Sequence, residues 1–407
     1  MVKTEGRRIT RITVLGTILV LFGISLAVVA LTRIDPAASA ALGVGTLGRV
    51  NLSVRTSLAI IGLLCCLGGT LAFPPKLHRL APFTLVTATL LAVLAMLIAA
   101  ASGRSLDLVG VMKASLRMST PIALGVLAGI WCERSAVINI AIEGMMLSSA
   151  AFGFGFFLWS GNIWLGVLAA ILTGGLMALL HAVLSITFKT DQIISGTAIN
   201  ILAVGASGFL RRAYLVKAYF VGETLPIVRI PFLSKIPVIG TLFFEHQPIV
   251  YCMIILLIAT HIILFYTRWG LRTRAVGEHP LAADTVGIDV IRTRYINVII
   301  GGLIAGLAGA WFSLETVGSF EDLMTRGKGF IALAAMIFGN WNPFGGFLGS
   351  LLFASADAIQ IKLEVIGVAI PPQFFDMTPY IVTMIVLAGL IGRTTPPAAD
   401  GQPYEKQ

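Results

Sequence analysis

Long apolar runs separated by short polar breaks dominate the chain. A hydrocarbon core about 30 Å thick needs roughly 20 apolar residues per helical crossing, and many runs here reach that length. The pattern predicts an all-α, polytopic transmembrane helical bundle of about 10–12 spans, including short or broken helices. The predicted spans lie near residues 13–32, 56–73, 82–101, 117–131, 137–159, 163–187, 192–210, 248–267, 295–314 and 377–392, with two shorter ones near 329–340 and 345–360.

Composition supports a membrane protein and excludes other classes. The chain has 407 residues, of which 57% are hydrophobic and 12% charged, and its mean hydropathy is +0.94. A soluble domain carries about twice that charged fraction, so a soluble enzyme and a disordered chain are excluded. The net charge of +10 indicates basic loops facing lipid headgroups. No basic run with interleaved aromatic residues occurs, so we expect no nucleic-acid partner.

Basic residues near the span ends predict the orientation. Five arginines fall within a short stretch between two spans, and the positive-inside rule places such a stretch in the cytoplasm. The rule therefore favours cytoplasmic N- and C-termini. The five are Arg268, Arg272, Arg274, Arg292 and Arg294.

This same stretch contains a short predicted helix over residues 280–286. Pro280 suits a first helical position, and Gly287 can adopt the left-handed conformation just past a helix end. A two-turn helix is not stable alone in water, because nucleation costs more than two turns recover. One interpretation is a docking element for a cytoplasmic partner, with a polar rim of charged residues around it. The alternative is a capped connector resting on its own spans.

Three stretches carry a resemblance to a known family. GLRTRAVGEHPLAADTVGIDV (270–290) resembles the cytoplasmic coupling segment of the permeases that serve bacterial ABC importers of ribose-type sugars, branched-chain amino acids and nucleosides. CERSAVINIAIEGMM (132–146) and GKGFIALAAMIFGNWNPFGG (327–346) resemble two further motifs of that family. Two further stretches, FKTDQIISGTAINILA (188–203) and TPYIVTMIVLAGLIGR (378–393), agree with it. The resemblance covers about residues 118–393 and is nearest to the second of two paired permeases in nucleoside importers. The ATPase-coupling residues that it implies are Arg272, Arg274, Glu278, Pro280, Leu281, Asp284 and Gly287.

The resemblance also implies partners, a location and a domain organisation. We expect a cytoplasmic ABC ATPase that binds ATP and magnesium, a paralogous permease forming a heterodimer, and an extracytoplasmic substrate-binding lipoprotein, all at the bacterial inner membrane. We expect N-terminal spans over 1–105, a permease domain over 106–393 with its coupling segment at 268–294, and a cytoplasmic tail over 394–407. One departure is Ala136, which stands where the family signature usually has glycine.

Several polar residues inside the apolar runs are candidates for the translocation path or for pinning broken helices. For Glu143, bonding to neighbouring backbone N–H groups is favoured over lining the path. Glu133 and Arg134 at a span boundary are interpreted as solvated or locally paired charges. His181 and His261 lack a second ligand at metal spacing, so no metal site is expected. The candidates are Glu133, Asn139, Glu143, Gln192, Asn200 and Asn340.

No phosphate loop, zinc-binding H-E-x-x-H pair or G-x-S-x-G elbow occurs in the chain, so we expect no catalysis and no cofactor in this subunit. The first function hypothesis is the permease subunit of an ATP-driven nucleoside importer, with ribose-type sugars as the alternative cargo. The second is a stand-alone ion-coupled carrier that uses Glu143 and Asp357 as coupling carboxylates. A third, weaker hypothesis is an intramembrane enzyme with Glu133 and Glu143 as acid and base.

Overall fold

The computed structural model describes residues 11–43, 48–71, 102–216, 222–366 and 394–406, together with position 45, positions 73 and 74, and scattered positions between 84 and 99. The predicted span near 377–392, and most of the one near 82–101, lie outside the described residues. The chain divides into two compact units. One comprises residues 1–113, 235–242 and 358–391, and the other comprises 114–234, 243–357 and 392–407.

Among its described residues, the first unit contains two complete apolar helices and a small sheet. The elements that lie wholly within its described residues are α1 (Arg11–Thr32), β1 (Ser39–Gly43), β2 (Arg49–Ser53), α2 (Val54–Thr70) and β3 (Ser105–Asp107). Strand β1 lies between the other two, antiparallel to β2 and parallel to β3. Buried apolar side chains of α1, α2 and the strands form a continuous cluster that includes Leu26, Leu58 and Leu106.

The remaining elements follow one another along the rest of the described chain. Helices α5, α6 and α11 each continue without interruption into a π-helical turn, over Val183–Thr187, Arg211–Leu215 and Trp311–Val317 respectively. In chain order the elements are α3 (Leu108–Glu133), α4 (Ile142–Ser160), α5 (Ile163–Ala182), α6 (Gln192–Leu210), β4 (Val228–Arg229), α7 (Ile239–Phe243), β5 (Glu245–His246), α8 (Pro248–Tyr266), α9 (Arg268–Glu278), α10 (Pro280–Thr285), α11 (Val290–Ala310), α12 (Lys328–Phe338) and α13 (Pro343–Ile366).

The prediction of an all-α polytopic bundle is confirmed. Among the described residues, seven helices are long and apolar enough to cross a membrane, and three shorter apolar helices accompany them. In the apolar stretch of helix α3, 89% of the residues are buried, which is the highest share among the seven. The share is 33% in α8 and 33% in α6 with its π-helical turn. In this chain taken alone, α3 therefore forms the interior, and α6 and α8 present most of their apolar surface outward.

Glycines allow a close helix contact in the second unit. Helices α5 and α11 pack backbone against backbone, since a Cβ atom on Gly174 would collide with the Gly302 carbonyl oxygen and lie 2.6 Å from the Gly306 Cα. Small residues at such spacings let apolar helices approach closely, which replaces the hydrophobic driving force that lipid does not supply.

We expect Gly174→Val to lower the stability of the purified protein by about 1–3 kcal/mol, because the added methyl groups have no space between the two backbones. Gly205→Ala on α6 is the control, since a Cβ there meets nothing within 4 Å and alanine favours the helix. Thermal unfolding midpoints in detergent measure the difference. Equal midpoints for both variants would show that α5 and α11 are not in backbone contact.

Candidate functional site

Helix α4 begins inside the bundle rather than level with the end of α3. A Cβ on Gly125 would lie 2.6 Å from the Met146 Cε, and one on Gly129 would lie 3.3 Å from the Ile142 Cδ1. Gly129 precedes the last residue of α3 by a full turn, so the first turn of α4 packs beside the body of α3. The segment 134–141, which we call the re-entrant segment, therefore leads from the end of α3 back into the bundle.

Helix α12 also begins inside the bundle. It runs parallel to the second half of α3, because a Cβ on Gly125 would lie 2.7 Å from the Ala332 Cβ and one on Gly129 would lie 2.7 Å from the Met336 Sδ. Its first residue, Lys328, therefore lies opposite the middle of α3. The chain before α12 has to supply partners for the free N–H groups at this helix start, because lipid cannot hydrogen-bond to them.

The Glu143 carboxylate supplies those partners. Its Oε1 accepts hydrogen bonds from the Thr325 hydroxyl at 2.6 Å and the Gly327 N–H at 2.9 Å, and its Oε2 accepts one from the Gly329 N–H at 2.7 Å. A carboxylate at a helix N-terminus is also stabilised by the helix dipole. Gly329 permits the approach, since a Cβ there would lie 2.6 Å from the Glu143 Cα. One side chain of α4 thus fastens the start of α12, and we call this contact the polar junction.

Amide side chains hold the re-entrant segment and the start of α4. The Asn200 Oδ1 accepts from the Gly144 N–H at 2.7 Å, and its Nδ2 donates to the Ile140 carbonyl at 3.0 Å. The Gln192 Oε1 accepts from the Ile138 N–H at 2.7 Å, and the Asn139 Oδ1 from the Ala141 N–H at 3.1 Å. The structure thus brings Asn139, Glu143, Gln192 and Asn200 together as partners of backbone groups in one region.

An ion pair lies next to the polar junction. Lys328, the first residue of α12, bonds to Asp357 of α13, and the two side chains are 19% and 12% exposed. Asp357 was a candidate coupling carboxylate, and here it has a basic partner. Sequence reasoning missed Lys328 and Thr325 as members of this region. A lysine and a threonine directly before an apolar half-helix were the available signal.

Glu133, Arg134 and Asn340 meet at the far end of α12. The Glu133 Oε2 accepts from the Trp341 indole N–H at 2.5 Å, while Arg134 donates to the Trp341 carbonyl at 3.0 Å. Both charged groups thus hydrogen-bond to the neutral Trp341, and the interpretation as a solvated charge is wrong for Glu133, which is 5% exposed. The Asn340 Oδ1 accepts from the Thr395 N–H at 3.0 Å.

The short helix predicted over 280–286 is confirmed as α10. Its first turn is capped by the His279 Nδ1, which accepts from the Ala282 N–H at 3.1 Å, and Pro280 occupies the first helical position. Gly287 follows with φ of 83°. Ala283 faces inward, whereas Leu281 is 40% exposed and Asp284 is partly buried.

Helix α9 connects this short helix to the re-entrant segment. A Cβ on Gly277 would collide with the Arg134 carbonyl oxygen, so the two backbones touch there. The Arg274 guanidinium lies 5.2 Å from the centre of the Phe265 ring, while Arg272 is exposed. The Glu278 Oε2 accepts from the Ala398 N–H at 3.3 Å.

Burial shifts the pKa of two charged groups on this face. Burial is the main reason that the pKa of Arg134 is lowered, and the positive charge of Arg274 acts in the same direction. The negative charge of Glu278 partly opposes that shift. Burial raises the pKa of Asp400 to about 7, against the opposing effects of the Gly401 N–H and of Arg294. Burial therefore disfavours the charged forms of Arg134 and Asp400, which indicates that this surface is packed rather than made of loose loops.

The described residues contain no group of three potential metal ligands in one place. His181 is buried and bonds through Nε2 to the Ile138 carbonyl and through Nδ1 to the Ser195 hydroxyl, each at 3.0 Å. The ring of His261 packs against Phe344, with centroids 4.7 Å apart. Both histidines occupy packing positions.

Residues 111–387 match the family described as the permease component of branched-chain amino acid transport systems. The chain is 42% identical to the guanosine ABC transporter permease protein NupQ of Bacillus subtilis, over 73% of this chain and 96% of that protein. It is 37% identical to the nucleoside ABC transporter permease protein NupC of Lactococcus lactis, over 71% and 94%. It is 33% identical to the putative glucose ABC transporter permease protein TsgC13 of Haloferax volcanii, over 70% and 92%. No solved structure matches.

Ala136 in the re-entrant segment has φ of 65°, the left-handed region that favours glycine. An alanine there costs about 1–2 kcal/mol. We expect Ala136→Gly to raise the free energy of unfolding by about 0.5–1 kcal/mol. The gain is smaller than the relieved strain, because glycine has more conformational freedom in the unfolded chain. Ala150→Gly, at a buried helical position of α4, is the control and should destabilise by about 1 kcal/mol. If both variants destabilise alike in thermal unfolding, the left-handed turn is absent.

Proposed function

Because the chain belongs to the family described as the permease component of branched-chain amino acid transport systems, we propose that it is the membrane-spanning subunit of an ATP-driven importer of nucleosides. The observation that carries this proposal is α10. A six-residue helix cannot persist in water by itself, yet here it is capped, packed and presents apolar side chains outward. Leu281 is 40% exposed and Val286, directly after α10, is 75% exposed. Such a surface fits a groove on a cytoplasmic ATPase subunit.

In this proposal the energy comes from a partner. The ATPase binds ATP and magnesium, and this chain supplies no phosphate loop. A related permease completes a heterodimer around the path, and a lipoprotein delivers cargo from outside the bacterial inner membrane. Residues 394–406 bond to α9, which supports the same, cytoplasmic side for the C-terminus and the coupling segment. The proposed cytoplasmic N-terminus rests on the basic residues that precede the first span.

Movement of α10 has a short route to the bundle interior. Helix α9 touches the Arg134 backbone through Gly277, and Arg134 begins the re-entrant segment. That segment leads to Glu143, which holds the start of α12. Closure of the ATPase subunits would thus displace α9, the re-entrant segment and α12 together, and alternating access follows if these elements rock as one body.

The cargo proposal rests on the relatives. The two relatives with the higher identities, 42% and 37%, are named for guanosine and for nucleosides, whereas the one named for glucose is 33% identical. Nucleosides are therefore proposed ahead of ribose-type sugars. Uptake of guanosine, adenosine, uridine and ribose by the reconstituted importer, each measured against the others as competitors, tests the choice. Ribose uptake that exceeds nucleoside uptake would overturn it.

The stand-alone carrier receives less support. Both carboxylates that it needs are engaged: Glu143 accepts three hydrogen bonds from residues 325–329, and Asp357 is paired with Lys328. An ion-coupling carboxylate has to exchange its partners during each cycle. Glu143 would have to break its three hydrogen bonds in every transport cycle, which is energetically unfavourable.

We expect Val286→Asp to reduce ATP-dependent guanosine uptake about tenfold or more, because a carboxylate buried at an apolar contact is costly. The matched control is Val228→Asp, since Val228 is also an exposed valine, at 43%, and lies in the loop strand β4, remote in sequence from the coupling segment. Uptake is measured in proteoliposomes that contain the whole importer, with the amount of each variant in the membrane determined by blotting.

Two results would contradict the proposed function. One is uptake by this chain alone that continues without the ATPase and collapses with an ion gradient. The other is an equal loss of uptake in Val286→Asp and Val228→Asp, which would remove any special role for the surface beside α10.

A further inference from the structure

The segment over residues 394–406, which we call the tail, contacts several separate elements of its unit. Its backbone N–H groups bond to the Asn340 side chain from Thr395 at 3.0 Å and to the Gly277 carbonyl from Ala399 at 3.0 Å. Gly401 lies against the re-entrant segment, since a Cβ there would be 2.7 Å from the Ile138 Cδ1. The tail is therefore a folded part of the cytoplasmic face.

Charged side chains fix the second half of the tail. Arg294 of α11 is 1% exposed and donates through Nη1 to the Gln402 carbonyl at 3.0 Å. Glu405 pairs with Lys189, in the loop between α5 and α6, at 2.7 Å. The exposed pair contributes little by itself. The hydrogen bond of the buried arginine is charge-assisted and lies out of water, where such bonds are stronger than exposed ones.

Between these two contacts the tail inserts one aromatic ring beneath α10. Tyr404 is 7% exposed and packs in a cluster with Val276 of α9, Ala283 of α10 and Val290 of α11. Ala283 is the residue that α10 buries. The side chain that fills the space beneath the short helix thus comes from a segment more than 100 residues further along the chain.

We propose that the tail positions α10 for the ATPase, with Tyr404 as the positioning residue. This inference rests on the proposed function, because it assigns a role in the docking of α10. Apart from its His279 cap, α10 is stabilised by what lies beneath it. With the ring removed, the helix loses much of the apolar surface on which it rests, and its local opening becomes easier.

The surface next to α10 includes the tail as well. A groove of about 780 Å³ is lined by residues of α10, the start of α11 and the tail, among them Asp284, Arg292, Tyr404 and Lys406. It carries both signs of charge. Any partner that binds α10 would therefore also contact the tail, which makes the tail part of the docking surface as well as its support.

The experiment compares Tyr404→Ala, Tyr404→Phe and Gln402→Ala in the full-length chain. Tyr404→Phe keeps the ring and loses the hydroxyl. Gln402→Ala is the matched control from the same tail, because that side chain is exposed and its bond among the described residues stays within the tail, to the Ala398 carbonyl. The first readout is amide hydrogen exchange over residues 283–288, where the Gly287 and Ile288 N–H groups bond to the Asp284 and Ala283 carbonyls.

The second readout is the number of ATP molecules hydrolysed per nucleoside transported by the reconstituted importer. We expect Tyr404→Ala to exchange about tenfold faster over 283–288 and to raise the ATP cost of transport severalfold at unchanged amounts in the membrane. Tyr404→Phe and Gln402→Ala should match the wild type in both readouts. Rescue by phenylalanine assigns the effect to ring packing.

Failure of this inference is distinguishable from failure of the proposed function. If the wild-type importer transports with ATP and Tyr404→Ala matches it in exchange and in ATP cost, the tail has no positioning role and only this inference falls. If Tyr404→Ala accelerates exchange everywhere, the residue serves general stability, and the inference is also overturned. If the wild type needs no ATP, the proposed function falls, and the exchange readout still tests whether Tyr404 holds α10.

Discussion

The contact on which the interior of this protein depends is the one between the Glu143 carboxylate and the start of α12. Two helices, α4 and α12, begin inside the bundle, and each leaves backbone N–H groups without a helical partner. Lipid cannot satisfy them. Glu143 supplies both of its oxygens to the Thr325, Gly327 and Gly329 donors, and Asn200 supplies one to Gly144. Side chains of α4 and α6 thus replace the solvent that a broken helix would otherwise need.

This arrangement joins the bundle interior to the proposed cytoplasmic face through direct contacts. The re-entrant segment has Glu143 just beyond one end and the Arg134 backbone at the other, where Gly277 of α9 touches it. Helix α9 leads directly into α10. The tail bonds to α9 and α11, and it packs against the Ile138 side chain of the re-entrant segment. A permease has to convert a displacement at its cytoplasmic surface into a change at its cargo path. Here the elements that would carry such a displacement are in direct contact.

Much of the fold could be predicted from local patterns. The apolar runs predicted the long helices. Pro280 and Gly287 predicted α10 to within one residue. Local patterns could not give the partners of Glu143, because Thr325 and Gly329 lie more than 180 residues further along the chain. The structure has a turn over residues 339–341, between α12 and α13. The half-helix that starts in the interior begins at Lys328. The tail has no apolar periodicity, and Tyr404 gave no sign of its place beneath α10.

The most direct test of this account is amide hydrogen exchange at Gly327 and Gly329 in Glu143→Leu, Glu143→Gln and the wild type, all in the same detergent or nanodisc. We expect leucine, which is similar in size but cannot accept a hydrogen bond, to accelerate exchange at both amides about tenfold or more. Glutamine, which keeps one acceptor oxygen, should fall between leucine and the wild type. Unchanged exchange at both glycines in Glu143→Leu would contradict the account, because it would mean that Glu143 does not hold the start of α12.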